Sequence, residues 1–316
     1  MKKLVRNVIA LSTLTAAGLH VANCVIQDNA TNKNVLTTRN GHYYHWKYGN
    51  IFYTKEGNGS PILLVHNLTP DSSGYEWVKI KHQLSKQHTV YTIDLIGCGR
   101  SEKPEITYTN YLFVQLINDF ATNIIGKTTD VVACGTSSTF VIMANLMNDK
   151  INKIVLINPM DTRENNSSVS SKRERIAKII VEIPILGTYI YNILMRKAYI
   201  KDQYVGDFNA KPYYITPDMI DAYYEAAHLD ESKGKYLFAS IYSKYTNVDV
   251  TKALSIIKNP IHIIESESTS KKKSTLSQYQ KYNEAITGTI IHKSQCLPHL
   301  ELPRKTCEEI ESFLLD

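Results

Sequence analysis

Apolar residues along this chain follow two alternating patterns. Short uninterrupted runs at 62–66, 89–94, 130–134 and 153–157 have the length and continuity of strands buried on both faces. Between them, residues 77–85 and 108–125 repeat apolar positions at helical spacing, the second through Leu112, Leu116, Ile117, Phe120 and Ile124. Strands and helices that alternate with short connections predict a mostly parallel sheet flanked by helices. From about Met160 the strands stop, and residues 176–183, 188–195 and 217–228 read as helices, the last with Thr216 as N-cap and Pro217 in its first turn. Strand patterns return at 261–264 and 289–292, and residues 307–314 close as an amphipathic helix. The pattern therefore predicts an α/β core over 41–160 and 251–316, interrupted by an all-helical cap at 161–250. Upstream, residues 43–53 alternate aromatic and polar positions as a hairpin does, and the Asn- and Thr-rich stretch 28–40 reads as a linker.

The N-terminus adds a membrane expectation. Lys2, Lys3 and Arg6 precede a mostly apolar run at 8–26, long enough to cross a bilayer as a helix. Residues 1–27 are thus predicted to be an anchor or signal segment, with the charge bias placing the following domain outside the cytoplasm, or secreting it if the segment is cleaved. The formal charge of +6 is not gathered into a basic stripe interleaved with aromatics, so nucleic acid is not an expected partner. Cys24, Cys98, Cys134, Cys296 and Cys307 are odd in number and lack C-x-x-C spacing, which predicts neither a disulfide framework nor a metal site, and no cofactor is called for.

The most informative stretch is 131–140, Val-Val-Ala-Cys-Gly-Thr-Ser-Ser-Thr-Phe. A buried strand, a turn of small residues and an apolar helix have the shape of a nucleophile elbow, in which a sharp turn presents one reactive side chain. In the G-x-S-x-G register the central position is Gly135, which has no side chain with which to attack.

With these residues in view, the chain from about Gly57 onward resembles the α/β-hydrolase superfamily with a helical cap. Asp94-Leu95-Ile96-Gly97-Cys98-Gly99-Arg100-Ser101 is similar to the D-x-x-G-x-G-x-S turn of that family, and His66-Asn67 stands where the family usually has His-Gly. Asn158-Pro159 at a strand end and Leu297-Pro298-His299-Leu300-Glu301-Leu302-Pro303 near the C-terminus resemble the family's corresponding segments. The resemblance implies the α/β-hydrolase fold and assigns three catalytic slots. They hold Gly135 for the nucleophile, Thr269 for the acid and Cys296 for the histidine, so every triad position is replaced.

Neighbouring groups are candidates for the same roles: Ser137 as nucleophile, His299 as base, and Asp161 or Glu267 as acid. The resemblance also points to His66, Asn67, Cys98 and Thr136 as ligand-binding positions, with backbone N–H groups near Asn67 and Thr136 forming a nest for an anion or carbonyl. Aliphatic residues from Ile179 to Leu194 are candidates to line a pocket beneath the cap. The expected function is binding of a small apolar or ester-like ligand without hydrolysis. The competing expectation is an active esterase or lipase-like hydrolase with a non-standard nucleophile and base, and a membrane-bound scaffold is a third possibility.

Overall fold

The computed structural model describes residues 2–162, 170–207, 215–268 and 274–315. Strands β1 (Gly41–Trp46), β2 (Gly49–Glu56), β3 (Ser60–Val65), β4 (His88–Ile93), β5 (Thr129–Cys134), β6 (Ile151–Ile157), β7 (Ile261–Ser266) and β8 (Thr287–Ile291) form one sheet. Their order is β1-β2-β4-β3-β5-β6-β7-β8. The hairpin β1/β2 and the pair β2/β4 are antiparallel, and every later pairing is parallel.

The apolar runs explain why these strands lie inside. Successive side chains point to opposite faces, so Leu63, Val65, Val131 and Ala133 pack toward Phe113, Leu116 and Phe140, while Ile62, Leu64, Val132 and Val155 join Trp77, Leu84 and Ile310. The helices that supply this cover are α2 (Lys81–Leu84), α3 (Asn110–Phe120), α4 (Ser137–Asn145) and, at the C-terminus, α13 (Pro303–Leu315). Strand β8 departs from the expectation of a doubly buried strand. It is the sheet edge, and only Ile291 is buried.

Between β6 and β7 the described residues are helical: α5 (Lys172–Glu182), α6 (Leu186–Leu194), α7 (Lys197–Asp202), α8 (Pro217–Ser232), α9 (Gly234–Tyr242) and α10 (Thr251–Ile256). Ser171 and Glu174 start α5 with a reciprocal capping box, and the Thr216 side chain caps α8 as its sequence predicts. Two short helices, α11 (Thr275–Gln280) and α12 (Pro298–Glu301), complete the core.

The N-terminal expectation of an anchor or signal segment finds no support in the helix lengths. Helix α1 (Lys2–Thr31) runs past residue 27, and among the described residues no single helix is long and apolar enough to cross a membrane. Polar residues on one side of α1 are committed to the cap: Asn23 Nδ2 donates to Ile185 O at 3.0 Å, Asn192 Nδ2 donates to Asn23 Oδ1 at 3.0 Å, and Gln27 Nε2 donates to Ser232 Oγ at 3.2 Å. Nor is 28–40 a free linker. Val35 N–H donates to Glu225 Oε2 at 2.6 Å, Lys33 pairs with Asp221 at 2.6 Å, and Leu36 O accepts from Arg100 Nη1 at 3.1 Å. The segment is a strap tying cap to core, held because buried backbone groups need partners.

His228 on α8 reports on cap packing. It lies between the rings of Tyr224 and Tyr191, with Nδ1–H donating to Tyr224 O at 2.8 Å and Nε2 without a hydrogen-bond partner. Burial lowers its pKa to about 4 from 6.5. The folded chain therefore binds this proton less readily than the unfolded chain, so the stability this site contributes is complete above pH 6.5 and is lost as pH falls toward 4. Urea unfolding across that window is expected to lose up to about 3 kcal/mol from this group, and a His228→Gln variant is expected to flatten that part of the slope. An unchanged slope in the variant would assign the pH dependence elsewhere.

Candidate functional site

Strand β5 ends at Cys134, and Gly135 turns the chain into α4 with φ of 54° while its N–H donates to Ile157 O at 3.0 Å. Asn158, at the end of β6 with φ of 41°, braces the neighbouring strand: its Oδ1 accepts from Ser266 N at 2.8 Å and its Nδ2 donates to Ser266 Oγ at 3.2 Å. Positive φ is tolerated best by glycine and asparagine, which are the residues found at these two strand ends.

The space above Gly135 is filled by Asn67. A Cβ at Gly135 would stand 2.7 Å from Asn67 Cγ and closer still to Oδ1. The same Oδ1 accepts the Thr136 N–H at 2.9 Å, and the Asn67 N–H donates to Glu76 Oε2 at 3.1 Å. Both backbone donors expected to form a nest are therefore engaged within the chain, a correction that follows from the carboxamide at position 67.

Three further site expectations are also corrected. His66 is fully buried: Nε2 accepts Leu95 N–H at 3.0 Å and Nδ1–H donates to Asn67 O at 2.6 Å. These bonds fix its tautomer and make it a clamp between two loops, leaving no nitrogen for a ligand. Ser137 is fully buried, and its hydroxyl donates to His66 O at 2.6 Å, so it does not face the cavity as a nucleophile must. Cys98 is fully buried with Sγ donating to Thr69 O at 3.4 Å, and burial pushes its thiol far above the ordinary range.

The structure brings Asn67, Gly135, Thr136 and Cys296 together around a cavity of about 240 Å³, to which Glu76, Cys134, Asn158, Met160, Tyr204 and Tyr223 also contribute. The Tyr204 and Tyr223 rings stand 4.8 Å apart. A depression of about 440 Å³ beside Arg100 and Asp230 shares none of these residues. Cys296 is held by its backbone: Glu301 accepts the N–H groups of Gln295, Cys296 and Leu297 at 2.7, 2.8 and 2.8 Å.

Asp161, Glu267 and His299 do not line this cavity. Asp161 is buried, but Met160 beside it provides the wall. Glu267 accepts the Lys293 N–H at 2.6 Å. Thr269 lies outside the described residues. Near the cavity, His299 is fully buried against Trp77, with ring centroids 4.8 Å apart. Its Nε2 is 3.5 Å from Glu76 Oε1, and neither imidazole nitrogen has a hydrogen-bond partner. Burial opposes ionisation of Glu76, yet the neighbouring His299 and Cys134 outweigh it and hold the carboxyl below its usual pKa.

Donor atoms of Glu76, Cys134 and His299 all lie within 4.8 Å of one another. Carboxylate, thiolate and imidazole are zinc ligand types; burial and Glu76 push the Cys134 thiol of this set well up.

Glu76 and Tyr204 escaped the sequence reading, whereas Tyr223 was among the cap residues it offered as apolar lining. Asn67 offered a signal, because it replaces the smallest residue of one loop while Gly135 replaces a side chain in the loop facing it. The pair predicts a measurable coupling. Gly135→Ala is expected to cost about 1–3 kcal/mol in urea unfolding, from positive φ and overpacking, and distinctly less in an Asn67→Ala background. Equal costs in both backgrounds would mean that Asn67 does not occupy that space.

Comparison with known proteins agrees with this geometry. Residues 60–181 match the model of the α/β hydrolase fold family. The chain is 28% identical over 109 residues to a 2-hydroxy-6-oxo-6-(2'-aminophenyl)hexa-2,4-dienoic acid hydrolase of Metapseudomonas resinovorans, covering 33% of this chain and 37% of the relative. It is 41% identical over 59 residues to a haloalkane dehalogenase of Agrobacterium fabrum, 19% of each chain. These matches span about a third or less of the relatives' own length. Among solved structures, a serine hydrolase involved in carbazole degradation superposes with a TM-score of 0.68 at 16% identity, over 87% of this chain and 98% of that one, a likeness of fold. The parallel sheet, the strand-turn-helix at Gly135 and the family match over 60–181 together give this chain the α/β-hydrolase fold.

Proposed function

We propose that this chain uses the hydrolase frame to bind a small apolar or ester-like molecule beneath the cap without hydrolysing it. The observation that carries the reading is Asn67, whose carboxamide fills the space over Gly135 and takes the Thr136 N–H. Acyl transfer needs a nucleophile at the elbow and free donors where negative charge develops, and losing one such donor alone costs about 10²–10³ in rate. Here the elbow tip has no side chain, and the slots for histidine and acid hold Cys296 and Thr269. The replaced triad is thus accompanied by a polar side chain that closes the reaction position.

A binding role is supported by the chemistry of the remaining cavity. Met160, Tyr204 and Tyr223 offer apolar and aromatic surface, with Asn158 and the Asn67 carboxamide as polar edges. Its volume of about 240 Å³ is below the roughly 300–1,000 Å³ of drug-sized sites, which favours a compact ligand. The named reactions of the relatives belong to those proteins, since their matches cover limited parts of each chain. An active enzyme built on Ser137, His299 and Asp161 or Glu267 is disfavoured because the Ser137 hydroxyl is committed to His66 O.

The test is incubation of the full chain with a fluorophosphonate probe and a panel of short-chain aryl esters. The reading predicts no covalent label and no turnover, together with a melting temperature raised by an ester that fits. At a hundredfold excess over Kd the stabilisation would be about 2.7 kcal/mol, and Tyr223→Ala is expected to weaken binding at least about tenfold. Labelling, or ester turnover abolished by Cys296→Ala, would restore the enzyme reading.

A further inference from the structure

Two cap helices turn an apolar stripe outward. On α5, Ile176, Ile179 and Ile180 are exposed, and Ile183 continues their i, i+3, i+4, i+7 spacing just past the helix end. Ile179 is 64% exposed. On α6, Leu186, Ile193 and Leu194 are exposed and Ile190 is half-buried, spaced i, i+4, i+7 and i+8 along one helical face. A globular helix ordinarily sets such a stripe against its core. In these two helices that role belongs to other residues: Val181 in α5, and Gly187, Tyr191 and Asn192 in α6, are the buried ones. The aliphatic stripe is therefore not packing between cap and sheet, nor is it the lining of the cavity that the sequence led us to expect. Helix α1 packs beside α6 and leaves Val21 and Val25 exposed as well.

Charge decides what this face suits. Residues 172–202 hold seven basic and three acidic side chains, a net +4 within a chain of net +6. Lys172, Arg173 and Arg175 are exposed at the start of α5, and Arg196 and Lys201 are exposed beyond α6. An aliphatic stripe with cationic ends complements a surface that is anionic outside and apolar just beneath. A second copy of this chain would bring the same positive charge against itself.

Geometry decides how the face would sit. The 11 residues of α5 and 9 of α6 give helices of about 16 and 14 Å, short of the roughly 30 Å hydrocarbon core of a bilayer. The α5 segment and the helical stretch 186–205 meet at a bend of 108°. Two short helices at that bend suit an interface plane, with both apolar stripes facing inward, better than a crossing.

We propose that the outer face of α5 and α6, with its basic ends, docks this protein peripherally on an anionic phospholipid surface. The assignment is independent of what the cavity binds.

The test is flotation of the full chain with vesicles of phosphatidylcholine alone and of equimolar phosphatidylcholine and phosphatidylglycerol. The wild-type chain is expected to float with the anionic vesicles and to partition at least about tenfold less onto the neutral ones, because several basic residues contribute near a charged surface. Two variants leave α1 untouched: Ile176→Glu with Ile179→Glu and Ile193→Glu removes the stripe, and Lys172→Glu with Arg173→Glu and Arg175→Glu reverses the charge. Each is expected to reduce partitioning at least about tenfold with an unchanged melting temperature, since the altered residues are exposed. Should the first variant lose its fold, the second carries the test alone. Absence of wild-type flotation, or flotation of a folded variant equal to wild type, overturns the proposal. So does a wild-type dimer in light scattering that the isoleucine variant dissociates, which would assign the face to a second copy.

Discussion

A single buried carboxylate underlies the arrangement of the site. Asp94 has no exposed surface and accepts from Gly74 N at 2.7 Å, Arg100 N at 2.8 Å, Arg100 Nε at 2.8 Å and Arg100 Nη2 at 2.9 Å. Burial opposes its charge, but the Arg100 guanidinium outweighs that and holds the carboxyl below its usual pKa. Removing one partner of such a pair leaves an uncompensated buried charge, so the loops it joins are fixed together. Through Gly74 it anchors the turn that carries Glu76, Glu76 holds the Asn67 N–H, and the Asn67 side chain reaches Gly135 and Thr136. Through Arg100 it also holds Leu36 O, and with it the strap that runs under the cap. One electrostatic knot thus connects the N-terminal strap, the hydrolase turn motif and the plugged elbow.

The α/β-hydrolase fold is kept here around an elbow whose tip is a glycine. Fold and function separate readily because function resides in a few side chains on a scaffold stabilised by many others. In this chain the sheet, the strand-end turns and the motif from Asp94 to Ser101 all depend on backbone geometry and buried packing, which a glycine at 135 and a cysteine at 296 leave undisturbed. The space over the glycine elbow is also not left vacant. An empty space beside a glycine is unfavourable in a close-packed interior, and Asn67 fills it while satisfying the Thr136 N–H.

What the sequence made legible followed from local rules. Doubly buried strands announce themselves as continuous aliphatic runs, and β3 to β7 lie where those runs are; β8 deceived because an edge strand can carry the same Thr-Ile composition with one side in solvent. Gly135 was readable because its neighbours specify the turn. Long-range partners were not. Nothing near Ser137 announces that His66 O, 71 positions away, takes its hydroxyl, and nothing near Val35 announces Glu225. Hydropathy averages over the N-terminal helix, so its apolar run did not announce that Asn23 and Gln27 act by direction, toward Ile185 O and Ser232. The aliphatic cap stripe was read as interior for the same reason: periodicity marks an apolar face without saying what it faces.

The most direct measurement is a high-resolution structure of the chain with a bound short-chain ester. The account predicts an intact ester against Met160, Tyr204 and Tyr223, with the Asn67 carboxamide still over Gly135 and still accepting the Thr136 N–H. An ester carbonyl in place of that carboxamide, with Asn67 swung aside and its oxygen on the Thr136 N–H, would contradict it and return the elbow to catalysis.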